Sequence, residues 1–226
     1  MSYFVTGTDT GAGKTLISCA LLHAFAVQGK RVIGMKPVAA GCDEDDQHED
    51  VVRLRAASNV IAGKGQVNPY CFPRPVAPHL AARFVGVSIN FSRIVESLSE
   101  LNGMADEVIV EGAGGLLVPL NEEQDSADLM EEMGLPVILV VGMRLGCLNH
   151  ALLTVDAMKW RGLKLAGWVA NEVDADMSML DENVAALRQR IAAPLLGIVP
   201  YLAQPDALEA AKYLDLSLLE QAEAHD

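Results

Sequence analysis

Aromatic residues make up only 5% of this chain, and its 17 Lys and Arg are outnumbered by 30 Asp and Glu. The net charge of -13 leaves no basic footprint for nucleic acid or an anionic membrane surface. No apolar run approaches the ~20 residues of a membrane span. The longest, Leu135–Gly142, has the length of a strand. Four cysteines (Cys19, Cys42, Cys71, Cys147) are scattered and form no C-x-x-C pair. That pattern is expected of a reduced, cytoplasmic protein without a zinc site. A strand pattern begins almost at the first residue, so no signal peptide is expected.

What is present is aliphatic. Of the 226 residues 51% are hydrophobic, so aliphatic side chains must fill the core. The length suits one elaborated α/β domain spanning 1–226. Short continuous apolar runs, the mark of buried parallel strands, occur at Tyr3–Thr6, Val32–Met35, Glu107–Val110, Val137–Val141, Leu165–Ala170 and Leu195–Val199. Helical patterns lie between them at Thr15–Gln28, Glu49–Ala57, His79–Phe84, Phe91–Asn102, Asp125–Met133, Asn149–Arg161 and Met177–Ala192, with a short one at Ala207–Tyr213. Such alternation predicts a mostly parallel, doubly wound sheet flanked by helices, with ligands at the carboxyl ends of its strands. The segment Gly41–Pro78 breaks the rhythm. It carries the acidic run Asp43–Asp46 and a Pro-rich stretch, and is expected to be a structureless functional insertion.

Gly7-Thr8-Asp9-Thr10-Gly11-Ala12-Gly13-Lys14-Thr15 follows the first strand and opens a helix. Strand, glycine-rich loop and helix together make a phosphate cradle: backbone N–H groups and the helix N-terminus face the anion. Lys14 would reach the terminal phosphates and the Thr15 hydroxyl would ligate Mg²⁺. The usual spacing puts a glycine six residues before the lysine; here Thr8 holds that place and the glycine is Gly7. A turn that merely lets helix and strand pack closely would look similar. It would, however, leave Lys14 unfavourably placed against the helix dipole.

Lys36 ends the second strand, where it would neutralise charge on a transferring phosphoryl group or be an ordinary solvated lysine. Glu111 ends another strand before Gly112-Ala113-Gly114-Gly115. Its carboxylate suits Mg²⁺, and the glycines admit close approach of a ligand. Asp50 closes a charge-rich stretch and reads, unaided, as a solvated face. Asn171 would read an adenine edge or be a turn residue. Gly146-Cys147-Leu148-Asn149 opens a helix; its N–H groups would hold an anion, or Asn149 is simply the N-cap. His23, His79 and His150 carry no catalytic assignment.

The motifs F-V-T-G-T-D-T-x-x-G-K-T (Phe4–Thr15), K-P-V-A-x-G (Lys36–Gly41), V-N-P-Y-x-F (Val67–Phe72), V-E-G-A-G-G (Val110–Gly115), L-G-C-L-N-H-A (Leu145–Ala151) and L-A-G-W-V-A-N (Leu165–Asn171) occur in order along nearly the whole chain. Together they resemble the dethiobiotin synthetase family. The resemblance implies a P-loop NTPase-like fold and an ATP- and Mg²⁺-dependent carbon–nitrogen ligase of biotin synthesis. Such an enzyme joins CO₂ to 7,8-diaminopelargonate as a carbamate, phosphorylates it, and closes a ureido ring on the mixed anhydride. It implies Mg²⁺ ligands at Thr15, Asp50 and Glu111, and catalytic lysines at Lys14 and Lys36. The ATP site implied covers Gly11, Ala12, Gly13, Lys14, Thr15, Leu16, Asp50, Glu111, Gly112, Ala113, Gly114, Asn171, Glu172 and the turn Pro200, Tyr201, Leu202. Thr10, Lys36 and Ala40 would meet the second substrate. A homodimer is implied, with Gly146, Cys147, Leu148 and Asn149 gripping the substrate's carboxylate across the interface.

Two departures from the family pattern stand out. Gly11-Ala12 stands where Glu-Val is frequent, and Ala40 where a Ser or Thr contacts substrate. A lost hydroxyl contact costs roughly 0.5–1.5 kcal/mol. The pattern fades after Leu202, leaving Asp206 as a further nucleotide contact unsupported. Two other readings compete. A cobyrinate-type synthetase would need a glutaminase domain for which the chain has no room. A dimeric ATPase switch of the chromosome-partition type would need a second lysine early in the phosphate loop, and Gly7–Gly13 has none.

Overall fold

The structure, a computed structural model, describes residues 2–45 and 47–219. In chain order the strands are β1 (Ser2–Gly7), β2 (Val32–Met35), β3 (Val38–Ala40), β4 (Tyr70–Phe72), β5 (Glu107–Glu111), β6 (Val137–Met143), β7 (Leu165–Glu172) and β8 (Leu195–Val199). The helices are α1 (Lys14–Val27), α2 (Glu49–Ala57), α3 (Lys64–Val67), α4 (Pro78–Phe84), α5 (Phe91–Met104), α6 (Ser126–Met133), α7 (Cys147–Trp160), α8 (Leu180–Arg188) and α9 (Ala207–Ala211). Six strands form one parallel sheet in the order β2-β5-β1-β6-β7-β8. The doubly wound α/β class expected from the sequence is what the chain adopts.

Both faces of this sheet are covered, which is why its strands read as unbroken apolar runs. On one face α1 brings Ile17, Leu21 and Leu22 against Tyr3, Val5 and Ile109; on the other α5 brings Ile94, Leu98 and Leu101 against Phe4, Val108 and Val110. A third cluster, including Val141, Cys147, Trp168 and Leu187, lies under α7 and α8.

Register decides where the chemistry goes. Met35 pairs with Val110, and Val110 with Phe4. The next residues along three parallel strands, Lys36, Glu111 and Val5, are therefore level at one rim, and the loop after Gly7 rises beside them.

Three expectations are corrected. The described residues of Gly41–Pro78 are not structureless: besides α2 they form α3 and β4, and β4 pairs in parallel with β3. Cys42 and Cys71 are joined in a disulfide, with Cα atoms 6.1 Å apart, so the four cysteines are not all free thiols. Pairing of Ala39 with Cys71 is what brings Cys42 into reach, and that tertiary register has no local trace in the sequence. Met177–Ala192 shortens to α8, because the helix is entered through Met179 at φ 60.

Candidate active site

Gly13 is the residue on which the phosphate loop turns. Its φ of 87 is left-handed, and a Cβ there would lie 2.1 Å from Asn171 Nδ2. Only glycine meets both demands. The peptide thus turned starts α1 at Lys14, and Asn171 Nδ2 braces the loop by donating to the Ala12 carbonyl at 2.9 Å.

Lys14 is buried, and Nζ donates to the Asp9 carbonyl at 2.9 Å. Burial, with the nearby positive Lys36, pushes its pKa down to about 8. The Asp9 carboxylate meanwhile pairs with Arg144.

Lys36 is 4% exposed, which removes the solvated-lysine reading. Its Nζ lies 2.6 Å from Glu111 Oε1, 2.9 Å from Asp50 Oδ2 and 3.3 Å from the Gly112 carbonyl. Burial alone would lower its pKa, but Glu111 and Asp50 outweigh that and the net shift is upward. Asp50 is likewise penalised by burial, yet Lys36 and the Thr15 hydroxyl hold its pKa below the ordinary value. Thr15 Oγ1 is 2.8 Å from Asp50 Oδ1 and 2.9 Å from Glu111 Oε1. One hydroxyl proton serves only one of these at a time.

Asp50 reaches the rim because α2 starts at Glu49, capped by His48 Nδ1, which accepts from the Asp50 N–H at 3.2 Å. Asp50, in the first turn of α2, is held inward by Thr15 and Lys36 while Asp43, Glu44 and Asp45 stay exposed, so the solvated-face reading fails for Asp50 alone. Thr15, Asp50 and Glu111 present hard oxygen donors, the chemistry a small divalent cation takes. Glu111 is 0% exposed, and its Oε2 has no hydrogen-bond partner among the described residues. An orphaned buried carboxylate oxygen beside two further oxygen donors fits a cation ligand.

A cavity of about 1000 Å³ opens over this rim. Thr10, Gly11, Gly13, Lys14, Thr15, Leu16, Lys36, Ala40, Asp50, Glu111, Ala113 and Gly114 line it, as do Asn171, Glu172, Pro200, Tyr201 and Leu202. Glu172 ties the last part together, one carboxylate oxygen accepting from the Tyr201 N–H at 3.0 Å. Ala12 and Gly112 lie beneath the surface and do not line it. Gly146, Cys147, Leu148 and Asn149 do not reach it either. Gly146, at φ 95, caps α7, so Asn149 sits inside the helix and is not the N-cap. Cys147 is in the core, leaving it only backbone to offer.

The sequence reading missed His48, Arg53, Leu117–Pro119 and Pro75–Pro78 in the cavity wall. It also missed Asn68, which holds Lys36 from behind: Nδ2 donates to the Lys36 carbonyl at 2.6 Å and the Tyr70 carbonyl at 3.0 Å. The Pro-rich composition of 68–79 was the available signal for the wall; Asn68 stood within the V-N-P-Y-x-F motif, which gave no hint of its role behind Lys36.

Residues 1–208 match a family model described as an AAA domain. The chain is 55% identical over 215 residues to the ATP-dependent dethiobiotin synthetase of Nitrosospira multiformis, covering 95% of each. It is 54% identical over 218 residues to that of Aromatoleum aromaticum, covering 95% of this chain and 97% of the relative. Among solved structures, the MinC:MinD cell division protein complex of Aquifex aeolicus matches with TM-score 0.59 at 14% identity, over 99% of this chain and 95% of that one. A ParA family ATPase from Chlorobium tepidum matches with TM-score 0.56 at 14% identity, over 100% of this chain and 98% of that one. At such identity these two show a shared fold alone.

Proposed function

Because this chain belongs to the ATP-dependent dethiobiotin synthetase family, we propose that it converts 7,8-diaminopelargonate, CO₂ and ATP to dethiobiotin, ADP and phosphate. The observation that carries the reading is the convergence of two buried lysines, Lys14 and Lys36, with Thr15, Asp50 and Glu111 under one cavity.

The chemistry asks for positioning and charge neutralisation rather than for a strong acid or base. One amine of the diamine takes up CO₂ as a carbamate, the carbamate attacks the γ-phosphorus, and the second amine displaces phosphate to close the ring. Lys14 exchanges the Asp9 carbonyl for phosphate oxygens. Lys36 faces the carbamate and the transferred phosphoryl group. The Gly112–Gly115 backbone admits both close to the sheet, and Thr10 and Ala40 border the second substrate. Asn171, Glu172 and Pro200–Leu202 border the adenine, although one Asn171 amide hydrogen is already given to Ala12. Thr15, Asp50 and Glu111 are the residues that would hold Mg²⁺, which when bound supplies positive charge to the phosphate oxygens.

The working unit is a homodimer of chains folded as one domain over 1–226, and its place of action the cytoplasm. Gly146 and Asn149 are exposed yet do not line their own cavity, and they sit beside Leu145 at 99% exposure. That favours their serving a second copy. No helix among the described residues is long and apolar enough to cross a membrane.

The purified chain with ATP, Mg²⁺, bicarbonate and the diamine should release ADP and form a cyclic urea. ATP turnover indifferent to the diamine would favour a partition-type switch instead. A monomeric mass at full activity would remove the cross-interface role of 146–149.

A further inference from the structure

Lys36 cannot do its work from where it stands. An ammonium group has three hydrogens, and three acceptors surround Nζ: Glu111 Oε1 at 2.6 Å, Asp50 Oδ2 at 2.9 Å and the Gly112 carbonyl at 3.3 Å. Three acceptors match three hydrogens, and at 4% exposure the side chain borders the cavity with its ammonium group engaged by the protein. Two of the three acceptors are also two of the three oxygen donors offered to a divalent cation.

We propose that Lys36 is an internal stand-in for that cation, and that ion binding and release of Lys36 toward substrate are one exchange. The proposal rests on the reading of Thr15, Asp50 and Glu111 as cation ligands. Charge makes the two states alternatives. Asp50 and Glu111 together carry two negative charges, and Lys36 offsets one. A divalent ion offsets both, and a buried ammonium left within the same cage would then be repelled rather than held. The site never has to bury a bare carboxylate pair, since one cation leaves only as the other enters. The lysine becomes available to a phosphoryl group only once the ion that accompanies the nucleotide is in place.

Equilibrium competition tests this, with Mn²⁺ as probe, read by electron paramagnetic resonance on the full chain without nucleotide. Lys36→Met keeps the reach and removes the charge; it should bind Mn²⁺ about tenfold more tightly than the unaltered protein, a competitor having been deleted. Lys36→Arg keeps the charge and should bind no more tightly than the unaltered protein. Equal or weaker binding by Lys36→Met overturns the exchange and leaves the ligand reading intact. No Mn²⁺ binding by any of the three overturns both. Should Lys36→Met fail to fold, the unaltered protein still decides. Its Lys36 ammonium ¹H–¹⁵N signal, protected by three hydrogen bonds, should be visible with protein alone and lost on adding Mg²⁺; persistence at saturating Mg²⁺ refutes the proposal.

Discussion

Asn68 holds Lys36 by its main chain: the side-chain amide donates to the Lys36 carbonyl at 2.6 Å while the Lys36 N–H donates to the Val67 carbonyl at 2.9 Å. Both peptide groups of Lys36 are therefore tied to the strip 67–68, and Pro37 after it keeps the backbone extended. Asn68 is 5% exposed, so removing it leaves two carbonyls, those of Lys36 and Tyr70, without that donor in the interior. Asn68→Ala should cost about 1–3 kcal/mol of stability in urea. Its turnover should fall about a hundredfold, since a shift near 1 Å at a reacting group has that scale. ADP affinity should stay within a few-fold, because the phosphate loop is untouched. A loss of ADP binding that parallels the loss of turnover would show a merely structural role.

The phosphate loop has its own control. Gly13→Ala would place a methyl group 2.1 Å from Asn171 Nδ2 on a backbone at φ 87. Asn171, itself 3% exposed and bonded to Ala12, has nowhere to retreat. Nucleotide affinity, measured with a fluorescent ATP analogue, should drop more than about tenfold, from backbone strain of order 1–3 kcal/mol plus the lost brace. Unchanged affinity would mean the loop tolerates a different turn.

The disulfide bears on the neighbouring wall. Cys42 and Cys71 enclose the segment carrying α2, hence Asp50, and a bridge over 29 residues typically adds about 2–4 kcal/mol. Oxidised protein should therefore unfold at higher urea than the Cys42→Ser/Cys71→Ser double variant. With reductant present the two midpoints should converge. A difference that survives reduction would trace to packing around the sulfur atoms instead.

How much of this was legible beforehand follows from the range over which each feature acts. Lys36 and Glu111 were visible because unbroken apolar runs end at them, and a parallel sheet brings such ends to one rim. Gly13-Lys14-Thr15 was visible because its chemistry is local. Asp50 was not: a carboxylate in an acidic stretch reads as solvated until His48 is seen capping the helix, and only family resemblance flagged it. β3 and β4, three residues each, are too short to show any period. The disulfide and Asn68 depend on the pairing of those two strands, so they were hidden with them. The start of α7 was misjudged because a left-handed glycine at Gly146 did the capping that an asparagine side chain would ordinarily do.

Nucleotide binding should take up a proton, and the sign follows from Lys14. Burial and Lys36 hold its pKa down to about 8, against 10.5 for an unperturbed lysine. A phosphate replacing the Asp9 carbonyl favours the charged form and raises that value again. At pH 9 about nine molecules in ten carry neutral Lys14 before binding, so binding should draw close to one proton from solution. At pH 6.5 the group is already charged and the uptake should be near zero. Affinity should accordingly weaken about tenfold per pH unit above 8 and be flat below it. Titration calorimetry with a non-hydrolysable ATP analogue, in two buffers of different ionisation enthalpy at each pH, measures the protons directly. Lys14→Arg, whose guanidinium stays charged throughout, should abolish the pH dependence. Equal uptake at pH 6.5 and pH 9, or a slope that persists in Lys14→Arg, would assign the proton to another group and leave Lys14 charged in the free protein.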